Sequence, residues 1–136
     1  MLDCKDLDGI QQLAVSQTVK GAHYLTINVG TAATNDPEFL CEVIRKVQEV
    51  TDLPLAFDYP NRSVQEVCLE TYDPAKAGGR KPIVNSVSEL RMEMLDLIGM
   101  KPFQMVLMAS ERLENGEEIP NTTPEEVHAT ARRLAE

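Results

Sequence analysis

No apolar run in this chain approaches the about 20 residues that a membrane-spanning helix needs. Basic side chains are also too few for a nucleic-acid surface. The 13 Lys and Arg stand against 22 Asp and Glu, a net charge of −9 with no basic stripe to offset it. Cysteine is scarce: Cys4, Cys41 and Cys68 are odd in number and lack C-x-x-C spacing, which argues against a disulfide framework and against a zinc site. Cys41 and Cys68 read as buried thiols on helix faces. Met1 to Asp6 is too acidic and polar for a secretion signal, so the expected address is the cytoplasm, with neither membrane nor nucleic acid as partner. What is left is an ordinary soluble globule, 43% hydrophobic and 26% charged. Its 136 residues fit one domain, 1–136, long enough to bury roughly two-thirds of the unfolded surface.

The pattern along the chain alternates between helical and strand periodicity. Residues 6–20 carry a helical apolar stripe through Ile10, Leu13 and Ala14, with Gly21 as its stop. His23 to Gly30 reads as a strand, and Thr31 to Asp36 as a polar turn. Asp36-Pro37 is an N-cap with proline at the first helical position, opening a helix to about Val50 that buries Phe39, Leu40, Val43, Ile44 and Val47. The second strand, Leu55 to Asp58, is unbroken apolar until its last residue, as in a parallel sheet.

A helix from about Ser63, with Glu66 completing a capping box, runs to Tyr72 and stops at Asp73-Pro74. Ala75 to Lys81 reads as a flexible loop, and Pro82 to Ser86 as the third strand. Ser88 to Met100 has helical spacing with Leu90, Met94, Leu95 and Ile98 inward. Phe103 to Ala109 is the fourth strand. Ser110 to Pro120 reads as a solvated acidic loop whose glutamates match no calcium pattern. The last helix opens at Thr123-Pro124-Glu125-Glu126, and His128 lies off its apolar stripe. Strands separated by single helices require parallel pairing with right-handed crossovers.

Three of these strands end in a polar side chain. Asn28, Asp58 and Asn85 should therefore meet on the rim where a parallel sheet binds ligands. Asp58 before Pro60 and Asn61 has a second reading, as a cap for the following turn. One carboxylate and two amides, with no His, Lys or Arg expected at the rim, form poor acid-base machinery but good hydrogen-bonding machinery. They suit a planar heterocycle with an amide-like edge, since a carboxylate accepts two N–H bonds while an amide donates and accepts.

The segments around these residues, Gly21 to Gly30, Val47 to Asp58 and Lys81 to Ser86, resemble the pterin-binding methyltransferases that move a methyl group from methyltetrahydrofolate to a corrinoid protein. They are more distantly similar to dihydropteroate synthase. Glu118 to Glu126 resembles the family's loop and helix after its fifth strand. The resemblance implies a TIM-barrel type of α/β fold, with four parallel βα units present here as a half barrel. It implies that Asp58 and Asn85 match the family's pterin-binding Asp and Asn, and that Asn28 matches the Asn of its strand-two motif. Methyltetrahydrofolate would be the methyl donor, and cobalamin would sit on the partner protein. The resemblance leaves the catalytic residues unknown.

Two departures stand out. Thr26 occupies a position where the family commonly has an acidic residue. The match also runs only from the family's first helix to its fifth, so the second pterin-binding Asp and the Asn near the reacting nitrogen belong to strands outside it. Four parallel strands expose two edges and an unclosed face, from which a homo-oligomer or a complementary half-barrel is expected. The alternative function is a non-catalytic relative serving as a binding or oligomerisation module. A further reading is a doubly wound receiver phosphorylated at Asp58; the acidic pair and Lys that such a site needs are represented here by Asn28 and Ala109.

Overall fold

The computed structural model describes residues 5–136; Cys4, with the rest of residues 1–4, lies outside them. Helix α1 (Leu7–Val19) starts at Asp6, whose carboxylate accepts from Gly9 N–H, and ends before Gly21, held at φ +93°. Strand β1 (Leu25–Ile27) is shorter than its sequence pattern. The turn expected at 31–36 contains a short helix, α2 (Ala32–Asn35). Helix α3 (Pro37–Val50) has the expected bounds, with the Asp36 carboxylate accepting from Phe39 N–H. All five of its expected core residues are buried.

Strand β2 (Leu55–Asp58) is followed by α4 (Arg62–Thr71). The expected capping box at Ser63 does not form: Asn61 is the N-cap, and its side chain makes no capping hydrogen bond. The supposed flexible loop holds a 3-10 turn, Pro74–Ala77, closed by Gly78 at φ +63° and tied down by Arg80, whose guanidinium donates to Ala77 O and Asp52 O. Strand β3 is Ile83–Val87 and β4 is Gln104–Leu107.

The helix expected at 88–100 is instead a 3-10 segment, Glu89–Gly99, broken at Arg91 (φ −136°, ψ 40°). Ser88 gives it no side-chain cap, and the Arg91 guanidinium is drawn back to Ser86 and Met108. The break shifts the inward face: Met94 and Leu97 are buried, whereas Ile98 is exposed. The acidic loop is also corrected, to an antiparallel hairpin of β5 (Glu111–Glu114) and β6 (Glu117–Pro120). Helix α5 (Pro124–Ala135) closes the chain behind a full capping box of Thr123 and Glu126.

The four parallel strands lie in the order β1-β2-β3-β4, with helices between them. That order has no reversal of the kind a doubly wound receiver fold needs for its crevice. Helix α1 packs on α3, α3 on α4, and α4 on the Glu89–Gly99 segment, so these elements form one layer over one face of the sheet. Leu25, Ile27, Leu55, Phe57 and Val84 point into that layer and are buried. Phe57 meets Tyr72 edge to face at 6.1 Å. Buried Gln48 ties α3 to the end of α4, its amide donating to Asp73 O and accepting from Asp73 N–H at 2.9 and 3.0 Å. Cys68 is buried in this core as expected, and burial pushes its thiol well above the usual range; Cys41 is only half-buried. Among the described residues no helix is long and apolar enough to cross a membrane, and no three His, Cys, Asp or Glu side chains gather as a metal site.

Candidate functional site

Strand pleating sends alternate residues to opposite faces, so the side chains between the core residues lie on the face without helices. Register sorts them into two rows. Thr26, Ala56, Ile83 and Gln104 are aligned across the four strands. One step nearer the strand ends, Asp58 is aligned with Asn85 and Asn85 with Val106. Asn28, the residue after the Ile27–Phe57 pair, stands beside Asp58 in that second row. The structure thus brings together all three residues expected at the rim.

Their circumstances differ. Asn28 is exposed, and its Oδ1 accepts from Gly30 N–H at 2.8 Å, so half of its hydrogen-bonding capacity shapes its own turn. Asp58 is exposed at the end of β2, and among the described residues no donor reaches its carboxylate. It does not act as the cap its sequence context suggested. The Asn85 side chain is half-buried and likewise without a partner among those residues. Adjacent strands are about 4.8 Å apart, so Asp58 and Asn85 present an acceptor pair beside a donor–acceptor amide over a span of one small ring.

The backbone beneath them is held by residues that the sequence reading passed over. Gln65, fully buried on α4, donates through Nε2 to Phe57 O at 2.9 Å and Tyr59 O at 3.0 Å, the carbonyls on either side of Asp58. The same nitrogen stands 3.5 Å from Asn85 O. The buried hydroxyl of Tyr59 accepts from Val29 N–H at 2.8 Å, fastening the end of β1 to the end of β2. Burial pushes the Tyr59 phenol up to about 12, partly opposed by that N–H bond.

The expectation of no cation at the rim is overturned by Arg91. Its guanidinium donates to Ser86 Oγ at 3.2 Å and approaches Met108 Sδ at 3.8 Å, beside the ends of β3 and β4. Glu111 and Glu118 of the hairpin are close by; burial and the neighbouring Glu118 carboxylate raise the Glu111 carboxyl, while the charge of Arg91 opposes the rise. Arg91 is the residue at which the 3-10 segment breaks.

Across the helix-free face, Tyr24 OH donates to Gln104 Oε1 at 2.9 Å. The two residues flank opposite edges of the sheet, three strand spacings apart, or about 14 Å if the sheet were flat. The long Tyr24 and Gln104 side chains meet across the open face over that distance. A depression of about 690 Å³ lies between α3 and α4, lined by Glu38, Cys41, Glu42, Arg45 and Glu70 among others; it contains none of the strand-end residues.

No protein-family model and no curated protein matches the chain. Its chemistry is therefore argued from the rim itself. The exposed Asp58 carboxylate, in a row with two amides, can accept and donate hydrogen bonds to a planar polar ring together with them.

Proposed function

We propose that the chain is a cytoplasmic pterin-binding domain of the methyltetrahydrofolate:corrinoid methyltransferase type, built on TIM-barrel-like βα units. The observation that carries this reading is the row Asn28, Asp58, Asn85, in which the aligned Asp58 and Asn85 side chains have no partner among the described residues. Asp58 accepts two N–H bonds from the amide-like edge of the pterin, and Asn85 donates and accepts at the neighbouring positions. Asn28 borders the ring. The methyl group comes with the folate, and the cobalt that accepts it belongs to the corrinoid partner. This chain's residues hold and orient the ring; no residue here is assigned a catalytic role.

A second reading, a non-catalytic binding or oligomerisation module, draws on the two edges of the four-stranded sheet that have no strand partner among the described residues. Isothermal titration with methyltetrahydrofolate separates the two. Under the pterin reading the wild-type chain binds and Asp58→Ala loses about 3 kcal/mol, on the order of a hundredfold, for two charge-assisted bonds at about 1.5 kcal/mol each. Absence of binding in both proteins would leave the module reading.

A further inference from the structure

Arg91 stands at the rim without a use in either the ring contacts or the bracing of the strand ends. It is half-buried, and both of its side-chain hydrogen bonds leave from Nη2, to Ser86 Oγ at 3.2 Å and Met108 Sδ at 3.8 Å. Both acceptors are neutral, and a thioether is a weak one. Nε and Nη1, which carry most of the guanidinium's N–H groups, make no hydrogen bond among the described residues. Nor does Arg91 form an ion pair with any of those residues, although Arg80, Arg112, Arg132 and Arg133 all do. Glu111 feels its charge without bonding it. A partly desolvated cation with neutral acceptors at one nitrogen and open donors at the others is matched to an oxyanion, to which the planar fork offers paired N–H bonds.

Its place decides which part of a ligand it meets. Asp58 is aligned with Asn85 and Asn85 with Val106, so the row crosses from β2 through β3 to β4. Ser86 follows Asn85 on β3, and Met108 follows the last residue of β4. A guanidinium that contacts both lies on the β4 side of Asn85, away from Asp58. A ring that engages Asp58 and then Asn85 extends toward it, and a substituent at the far end of that ring passes it.

We propose that Arg91 binds a carboxylate carried by the rim ligand, so that Asp58 and Asn85 read the ring and Arg91 reads an acidic tail. Resting on the pterin reading, this role makes Arg91 the residue that selects a folate, with its glutamate carboxylates, over a bare pterin. The net charge of −9 and the Asp58 carboxylate both repel an anionic ligand, and a guanidinium on the tail side of the rim offsets that repulsion where it matters.

Isothermal titration tests this with two probes, methyltetrahydrofolate and a methyltetrahydropterin that has the same ring without the aminobenzoyl-glutamate tail. Arg91→Gln should weaken folate binding about tenfold, the loss of one charge-assisted contact, and leave the tail-less ring bound as in the wild type. Arg91→Lys, which keeps the charge but not the fork, should recover part of that loss. Asp58→Ala should instead weaken both ligands. Equal weakening of both ligands by Arg91→Gln would make Arg91 a prop for the strand ends and overturn its role in the tail, as would a folate affinity unchanged from wild type. In either case the pterin reading stands. A wild type that binds neither ligand overturns that reading and the role of Arg91 with it.

Discussion

Replacing Gln65 by glutamate is the sharpest test of how the rim is supported. The side chain is fully buried; its two good bonds are donated by the amide nitrogen to Phe57 O and Tyr59 O, and its Oε1 has no partner among the described residues. Glutamate has nearly the same shape but, when ionised, no donor at all. It would set a carboxylate against two carbonyl oxygens in a place closed to water. The two lost bonds amount to about 1–3 kcal/mol together, and an uncompensated buried charge adds several more unless the group takes up a proton.

Protonation restores one donor, so the folded-state pKa of the introduced carboxyl is raised above its unfolded value. A carboxyl shifted upward gives stability that is present at low pH and lost as pH rises through the ordinary carboxylate range and beyond. Gln65→Glu should therefore lose more than about 3 kcal/mol relative to wild type near neutrality, and markedly less at roughly pH 5. Urea unfolding followed by circular dichroism at several pH values measures this, with Gln65→Met as the uncharged control. The control loses both donors but also the unpartnered Oε1, so its deficit should be about 1–3 kcal/mol and independent of pH. A Gln65→Glu variant as stable as wild type at neutral pH would refute the view that a buried amide holds the strand end carrying Asp58.

Tyr59→Phe deletes the acceptor for Val29 N–H, which leaves that buried donor alone at a cost of about 1–3 kcal/mol; a thermal midpoint unchanged from wild type would refute the link. The same phenol is raised to about 12 by burial, so wild-type stability should fall as pH climbs above the ordinary tyrosine value of 10.0, and the Phe variant should have a flatter alkaline limb. At the acid end, the Arg133 guanidinium holds the Glu89 carboxyl below its ordinary 4.5. That contribution is present above the ordinary value and is lost as pH falls through the lowered one. Glu89→Gln should thus reduce the acid slope of the urea midpoint while costing less than about 1 kcal/mol at neutral pH, the range for a pair in which Arg133 is half exposed.

The parts of the fold written in local chemistry were legible. Asp36-Pro37 followed by Phe39, Leu40, Val43, Ile44 and Val47 specifies a helix start and a buried stripe, and both appear as read. The unbroken apolar run into Asp58 specifies a strand ending at a rim, as found; it also reads as a strand covered on both faces, whereas α1, α3 and α4 cover one. The hairpin was hidden because its strands are charged on both faces, with Glu111, Arg112, Glu114, Glu117 and Glu118 giving no alternation to detect. Its one local signal is Asn115-Gly116, both at positive φ, a dipeptide that favours a tight hairpin turn. The segment after β3 has helical spacing, yet Arg91 leaves the helix to bond Ser86 and Met108. Ser86 lies five residues back, and Met108 lies seventeen residues on, outside the reach of local helical spacing. Gln65 reads locally as a surface polar residue on an amphipathic helix, and only the return of β2 against α4 makes it a buried pin.

These differences bear on where a binding residue should be sought. The protein satisfies the backbone at its strand ends with buried groups that face inward: Gln65 for Phe57 and Tyr59, and the Tyr59 hydroxyl for Val29. An unpaired polar group in that layer is costly, so most of its side chains are matched. On the opposite face, Asp58 and Asn85 are aligned neighbours on that same braced backbone, yet neither side chain contributes to holding the fold. Exposure to water removes the penalty for leaving them unmatched. A carboxylate fixed in position by its neighbours and free of internal bonds keeps its full accepting capacity for an outside donor. Because the groups that brace Asp58 are separate from its own carboxylate, changing that side chain should alter recognition while leaving the sheet intact.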